Sequence, residues 1–508
     1  MDRILILDFG SQYTQLICRR IRELRVYAEI VPYATPAREL SARNPQGLIL
    51  SGGPASVAGT DAPLPDPAIF QLGIPILGIC YGMQLTALML GGKIGSDLRE
   101  YGASRFERLK SSPLFFRLPA RFPVWMSHGD SVRLLPPGFV KLGRTSHRAV
   151  AAMADENRQV YGLQFHPEVE HTPLGRKIIA NFLFRICRCQ PNWTMKNFIR
   201  EKIKEIRAQV GREKVLCAVS GGVDSTVLAT LLHRAVGSRL VAVFVDNGLL
   251  RMGEPETVVR ALRHRLPLQT VDARHRFLSR LAGVTNPERK RRLIGEEFIR
   301  VFEDVARKSG DIRFLAQGTL YPDLIESGSA TGGPSATIKT HHNVGGLPRD
   351  LNFDLIEPLR ELFKDEVRLL GRTLKLPRSI LNRHPFPGPG LAVRIIGAVT
   401  PARLELLRQA DHIFITELRK ARWYNRVWQA LAVLLPVRSV GVMGDRRTYE
   451  HVVALRAVTS TDAMTADWAH LPAELLARIA RRITNEVRGI NRVVYDISSK
   501  PPATIEWE

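Results

Sequence analysis

The chain has 508 residues, 45% hydrophobic and 24% charged, the balance of folded globular domains and not of a disordered or fibrous chain. At roughly 150 residues per domain this length corresponds to about three domains, each long enough to bury a core. Lysine and arginine number 73 against 49 acidic residues, a formal charge of +24, an excess that suits phosphate-bearing partners but that an arginine-rich proteome would also produce.

Residues 4–7 form a short apolar run ending in Asp8-Phe9-Gly10, and Ile17, Ile21 and Leu24 then recur at helical spacing. Residues 48–50 read as a second buried strand, closed by Ser51-Gly52-Gly53-Pro54. Residues 74–79 read as a third, followed at once by Cys80 and a helix over 83–90, and residues 160–165 as a fourth. Short apolar strands alternating with helices predict a mostly parallel sheet. After a break at Gln190-Pro191-Asn192, a helix over 197–209 leads into a second α/β unit. Its strands are predicted at 215–219, 240–245 and 314–316, with a helix running to about residue 235 after Ser220-Gly221-Gly222-Val223-Asp224-Ser225. Proline and glycine crowd residues 384–390, an extended hinge. Beyond it, strands at 439–442, 451–458 and 492–497 and a helix at 473–487 predict an α+β domain. The expected fold is thus α/β: two mostly parallel-sheet domains, at 1–190 and 191–388, followed by a smaller α+β domain at 389–508.

The five cysteines are too few, and odd in number, for a disulfide scaffold, and a reducing cytoplasmic location is expected. Cys187-Arg188-Cys189 lacks the two-residue gap of a zinc knuckle. Apolar runs such as 430–437 fall short of the roughly 18 residues of a membrane span. Met1-Asp2-Arg3 leads straight into the first strand, without the pattern of a signal peptide.

Cys80 stands between a strand and a helix with Gly78 and Gly82 on either side. A sharp strand-to-helix turn needs small neighbours and lifts its central side chain to the sheet end. The helix N-terminus favours the thiolate, and free backbone N–H groups suit an oxyanion. A buried structural cysteine is the plainer reading of that residue alone. The segment Gln164-Phe165-His166-Pro167-Glu168 shifts the balance, because His166 and Glu168 leave an extended chain on the same side. A histidine held by a carboxylate beside a thiol forms a base and its orienter.

Residues 1–190 resemble the class I glutamine amidotransferases, through 51–54, 78–84 and 162–168. That resemblance implies Cys80 as nucleophile on the glutamine side-chain amide, His166 as proton shuttle and Glu168 as its orienter. It further implies the N–H groups of Gly53 and Tyr81 as oxyanion donors, with Gln84 helping to bind glutamine.

The segment from Ser220 to Ser225 follows a strand and opens a helix. Its glycines let backbone N–H groups fold around an anion at a helix N-terminus, and Ser220 and Ser225 add hydroxyls. A capped glycine turn is the plainer alternative. Asp224 does not favour bare phosphate and points instead to Mg²⁺ on a pyrophosphate. No Walker loop occurs. The segment resembles the PP-loop of ATP pyrophosphatases, which implies ATP binding by Ser220, Gly221, Gly222, Val223, Asp224 and Ser225, with Val245 at the adenosine and Mg²⁺ accompanying ATP. The basic run from Arg289 to Arg292 reads as a solvated face, with a lid over the phosphates as the alternative. Adjacent His341 and His342 point opposite ways on an extended chain, which favours a loop role over a metal site.

Residues 497–508 carry two prolines, Lys500, two carboxylates and Trp507, unlike a featureless tail. They read as an ordered arm gripping a ligand, Lys500 on a phosphate and Glu506 on ring N–H groups, or as a docked arm without one. Together, the three segments resemble the ligase family in which an amidotransferase is fused to a PP-loop pyrophosphatase and XMP is aminated to GMP. That resemblance implies glutamine, ATP and XMP as substrates, XMP contacts from Asp445, Lys500, Ile505 and Glu506, and a homodimer through the last domain, with no membrane or nucleic-acid partner. The nearest alternative is a similar fusion acting on another acceptor. From a different class, a nucleic-acid-binding protein on an enzyme scaffold would account for the +24 charge.

Overall fold

The computed structural model describes residues 1–96, 99–146, 149–310, 312–326, 353–443, 445–460 and 465–508. His341, His342 and the rest of 327–352 lie outside the described residues, as does Gly444. The described residues fall into two compact units, one of Met1–Phe198 with Ile325 and Glu326, the other of Ile199–Leu324 and 353–508.

The first unit is built on a nine-stranded sheet. In chain order its strands are β1 (Arg3–Asp8), β2 (Tyr27–Pro32), β3 (Gly47–Leu50), β4 (Ile76–Ile79), β5 (Glu100–Arg108), β6 (Arg121–His128), β7 (Val140–Arg144), β8 (Val150–Asp155) and β9 (Val160–Leu163), arranged β2-β1-β3-β4-β9-β8-β7-β5-β6. The half from β2 to β9 is parallel, and the other pairings are antiparallel. The parallel strands are apolar runs because helices cover both faces. Helix α1 (Thr14–Glu23) buries Ile17, Cys18 and Ile21, the spacing of one helical face. The antiparallel half was not predicted. Strand β5 mixes polar and apolar residues on both faces, one face being largely exposed, so it presents no apolar run.

In the second unit, β10 (Lys214–Ala218), β11 (Leu240–Asp246), β12 (Leu268–Asp272), β13 (Ile312–Ala316) and β14 (Asp354–Ile356) form an all-parallel sheet ordered β12-β11-β10-β13-β14. Strands β12 and β14 went unread because they are partly exposed edges. Helix α2 (Val223–Val236) leaves the end of β10. Helix α3 (Pro287–Ser309) starts where the Asn286 side chain accepts the Arg289 N–H at 2.9 Å, with Pro287 in the first turn. Helix α4 (Pro401–Lys420) is capped the same way by Thr400.

The last 120 residues extend the second unit with a long hairpin of β15 (Gln429–Met443) and β16 (Arg446–Thr459), pairing Gln429 with Val458 and Met443 with Arg446, with a register shift between Leu434 and Arg438. Strand β17 (Ile490–Tyr495) runs parallel to β16, and helix α5 (Ala473–Glu486) precedes it. Both strands of the hairpin are longer than predicted. One core cluster runs from Leu216 and Val243 through Leu404 and Phe414 to Ile483 and Ile490, so the parallel sheet and the following α+β region share an interior.

Candidate active site

Helix α6 (Tyr81–Met89) begins directly after Cys80, which bridges it to β4 with φ 53° and ψ −107°. A non-glycine residue held there is strained and needs surroundings that over-determine it. The surroundings are tight. A Cβ on Gly78 would lie 2.5 Å from the Gly82 carbonyl oxygen, and one on Gly82 would lie 2.3 Å from that of Leu50. The Cys80 N–H donates to Leu163 O on β9 at 2.7 Å, and its thiol to Ser127 O at 3.4 Å.

Two residues beyond β9, His166 Nδ1 pairs with Glu168 Oε1 at 2.7 Å, and both side chains are buried. Burial alone would push the imidazole down. The Glu168 carboxylate and the Cys80 sulfur, a hydrogen-bond partner of the same ring, outweigh it and hold His166 well above its ordinary value. The Glu168 carbonyl oxygen accepts from Arg20 Nε at 3.0 Å. The structure therefore brings Cys80, His166 and Glu168 together. Among the described residues, the N–H groups of Gly53 and Tyr81 carry no hydrogen bond. Gln84 does not open toward solvent: it is buried and donates to Asp130 O at 2.7 Å. The carbonyls of Ser127, near the end of β6, and of Asp130, just beyond it, accept from the Cys80 thiol and from Gln84; sequence reasoning missed both, since neither has motif spacing to Cys80.

In the second unit the Ser220–Ser225 turn joins β10 to α2. Gly221 has φ +77°, and a Cβ there would lie 2.3 Å from a Val258 methyl. The two serine hydroxyls are 3.0 Å apart, and Ser220 Oγ accepts the Gly222 N–H at 3.3 Å. Val245 is buried near the end of β11. Asp224 Oδ2 is bonded to Lys364, whereas its Oδ1 is buried with no partner among the described residues. That orphaned oxygen fits a cation. Among the described residues no three His, Cys, Asp or Glu side chains converge on a metal, so a Mg²⁺ here would take most of its ligands from phosphates and water. The Arg289–Arg292 run forms the first turns of α3, and Lys290 is not solvated: its Nζ is fully buried on Ala392 O (3.1 Å), Ile395 O (2.7 Å) and Glu508 Oε2 (2.6 Å).

The 496–508 arm is ordered around buried cations. Arg456, fully buried, bonds Ile505 O, Ser498 O and Thr504 O at 3.0 Å each and Asp496 at 2.7 Å. Arg394, also fully buried, grips both Glu506 oxygens, at 3.0 and 2.8 Å. Ile505 packs on Leu431, Val433 and Val458, and Lys500 pairs its backbone with Ala466. Lys500, Ile505 and Glu506 thus share the base of the hairpin. Asp445 does not join them within one chain. It sits at the hairpin tip with φ 59°, roughly 40 Å from the base at about 3.3 Å per strand residue. Arg394 lies in a stretch rich in glycine and proline, but its pairing with Glu506 had no sequence signal.

The family model described as "Glutamine amidotransferase class-I" matches residues 5–186, and the one described as "GMP synthase C terminal domain" matches residues 416–507. Curated relatives named "GMP synthase [glutamine-hydrolyzing]" align along the whole chain. That of Thermomicrobium roseum is 60% identical over 100% of this chain and 97% of its own. That of Carboxydothermus hydrogenoformans is 58% identical over 100% of each, and that of Aquifex aeolicus 58% over 99% of each. The matches bear out the resemblance read from the sequence.

Proposed function

The chain belongs to the glutamine-hydrolysing GMP synthases, ligases that make GMP with glutamine as nitrogen donor, and from that premise we propose how its residues divide the reaction. In the first unit the Cys80 thiolate attacks the side-chain carbonyl of glutamine. The N–H groups of Gly53 and Tyr81 receive the developing oxyanion. His166, kept protonated by Glu168, gives its proton to the leaving ammonia, and water then cleaves the thioester with His166 as base. Glutamate and ammonia result. Gln84 acts by holding Asp130 in the glutamine pocket.

In the second unit the N–H and hydroxyl groups of Ser220, Gly221, Gly222, Val223 and Ser225 cradle the ATP phosphates, and Val245 packs on the adenosine. Magnesium held by Asp224 and the phosphates supplies charge neutralisation for the departing pyrophosphate. The O2 of XMP attacks the α-phosphorus, and pyrophosphate leaves. Ammonia adds at C2, and AMP carries away the oxygen. Adenylylation makes that oxygen a good leaving group, and ammonia kept from bulk solvent escapes protonation. Lys500, Ile505 and Glu506 bind XMP. A second copy covers the exposed apolar residues of the hairpin, among them Val437, Val442 and Tyr449. None of the five cysteines forms a disulfide and all are buried, which suits a reducing cytoplasm. Among the described residues no helix is long and apolar enough to cross a membrane.

The observation that carries this reading is the buried Cys80–His166–Glu168 alignment at the end of a strained turn. The test is Cys80→Ala. Glutamine-driven GMP formation should vanish while synthesis from added ammonium persists. Loss of both together would mean that the division of labour is wrong.

A further inference from the structure

Glu506 is held by a chain of buried charges that leads back to the phosphate loop. Asp411, on α4 and only 1% exposed, faces two arginines. Its Oδ2 lies 3.1 Å from Arg251 Nε, and its Oδ1 lies 3.9 Å from Arg394 Nη1 and accepts the Ala432 N–H at 3.3 Å. Arg394 clasps both oxygens of Glu506, and Gln429 Nε2 adds a third donor at 2.6 Å. The Phe386 ring contacts both guanidiniums, 5.1 Å from that of Arg251 and 5.0 Å from that of Arg394. Arg251 follows the end of β11, and its N–H donates to Glu254 at 3.0 Å. Glu254 is paired with Arg383, whose Nη1 donates to Gly221 O at 2.7 Å.

We propose that Asp411 is a positioning residue that couples the nucleotide site to the acceptor site, by fixing Arg394, and through it Glu506, against the Arg251 side of the phosphate loop. This rests on the reading of Glu506 as an XMP contact. The charges explain why Asp411 has this reach. Arg394 and Asp411 are buried and Arg251 and Glu506 only partly exposed, so the two carboxylates and two guanidiniums balance one another, and deleting one leaves a poorly solvated charge that the others must move to relieve. Arg394 has no solvent to turn to, so its orientation follows its two acid partners. A shift of Gly221 or Arg251 on nucleotide binding is therefore felt at Glu506, and by linkage acceptor binding is felt at the phosphate loop.

The test is ammonium-driven GMP synthesis by the full chain, with the KM for XMP measured at several ATP concentrations. Asp411→Asn should raise the XMP KM about tenfold and flatten its dependence on ATP. Its kcat at saturating XMP should stay within about threefold, and glutaminase without nucleotides should be unchanged. A merely destabilised fold would lower the active fraction and leave KM alone. Arg251→Gln, at a less buried position, serves as the second variant and decides the matter should Asp411→Asn fail to fold. It should raise the XMP KM in the same direction, and combining the two should add nothing further. Glu506→Gln separates the two ideas. If it raises the XMP KM while Asp411→Asn and Arg251→Gln do not, the coupling is refuted and the acceptor arm stands. If Glu506→Gln leaves the XMP KM unaltered, the arm reading falls and the coupling with it.

Discussion

A histidine as buried as His166 is ordinarily neutral, because burial disfavours the charged form. Here Glu168, 2.7 Å away, and the Cys80 sulfur reverse that preference and raise its value well above 6.5. Glu168→Gln should therefore move the alkaline limb of the glutaminase kcat/KM profile to lower pH and cut the rate near pH 7.5 by about 100-fold. The sign for stability follows from linkage. A group whose folded pKa is raised stabilises fully below its unfolded value and loses that contribution as pH rises through the folded value. Urea denaturation should show the gap between wild type and Glu168→Gln widest below pH 6.5 and closing above it. A gap that widens with pH would contradict this account of His166.

The turn between β4 and α6 depends on having no side chain at two glycines. Gly82→Ala would drive a methyl group into the Leu50 carbonyl, which lies on β3 and has no flexible end to yield. The expected cost is about 1–3 kcal/mol by thermal or urea unfolding, with glutaminase lost and ammonium-driven synthesis kept in the molecules that fold. Wild-type glutaminase in this variant would show that the turn has slack. This element was legible in the sequence because small residues, a cysteine and a strand-to-helix transition fall within five positions. The inner parallel strands were legible because burial on both faces writes them as apolar runs, whereas the parallel edge strands β2, β12 and β14 were not. The antiparallel strands β5–β8 of the first unit went without a sequence signal, while parts of the hairpin strands β15 and β16 had one. Least legible of all was the acceptor arm's support: Arg251 and Asp411, or Arg394 and Glu506, are separated by more than a hundred residues, and a buried arginine looks like a surface arginine until its partners are in place.

At the scale of the whole molecule, the described residues form two compact units, and those from Ile199 onward, apart from Ile325 and Glu326, belong to one of them. Leu216 and Val243 of the phosphate-loop sheet belong to the same interior as Phe414, Ile483 and Ile490. A polypeptide of residues 199–388 would expose that interior and is expected to be insoluble or molten, with no cooperative melting transition. Residues 199–508, made alone, should melt cooperatively and retain ammonium-driven synthesis. Cooperative folding of the 199–388 piece would overturn this. Descent is constrained accordingly. A lineage is free to place the amidotransferase domain on a separate gene, or to exchange it for an unrelated one. The parallel sheet of the second unit and the α+β region that shares its interior are inherited as one piece.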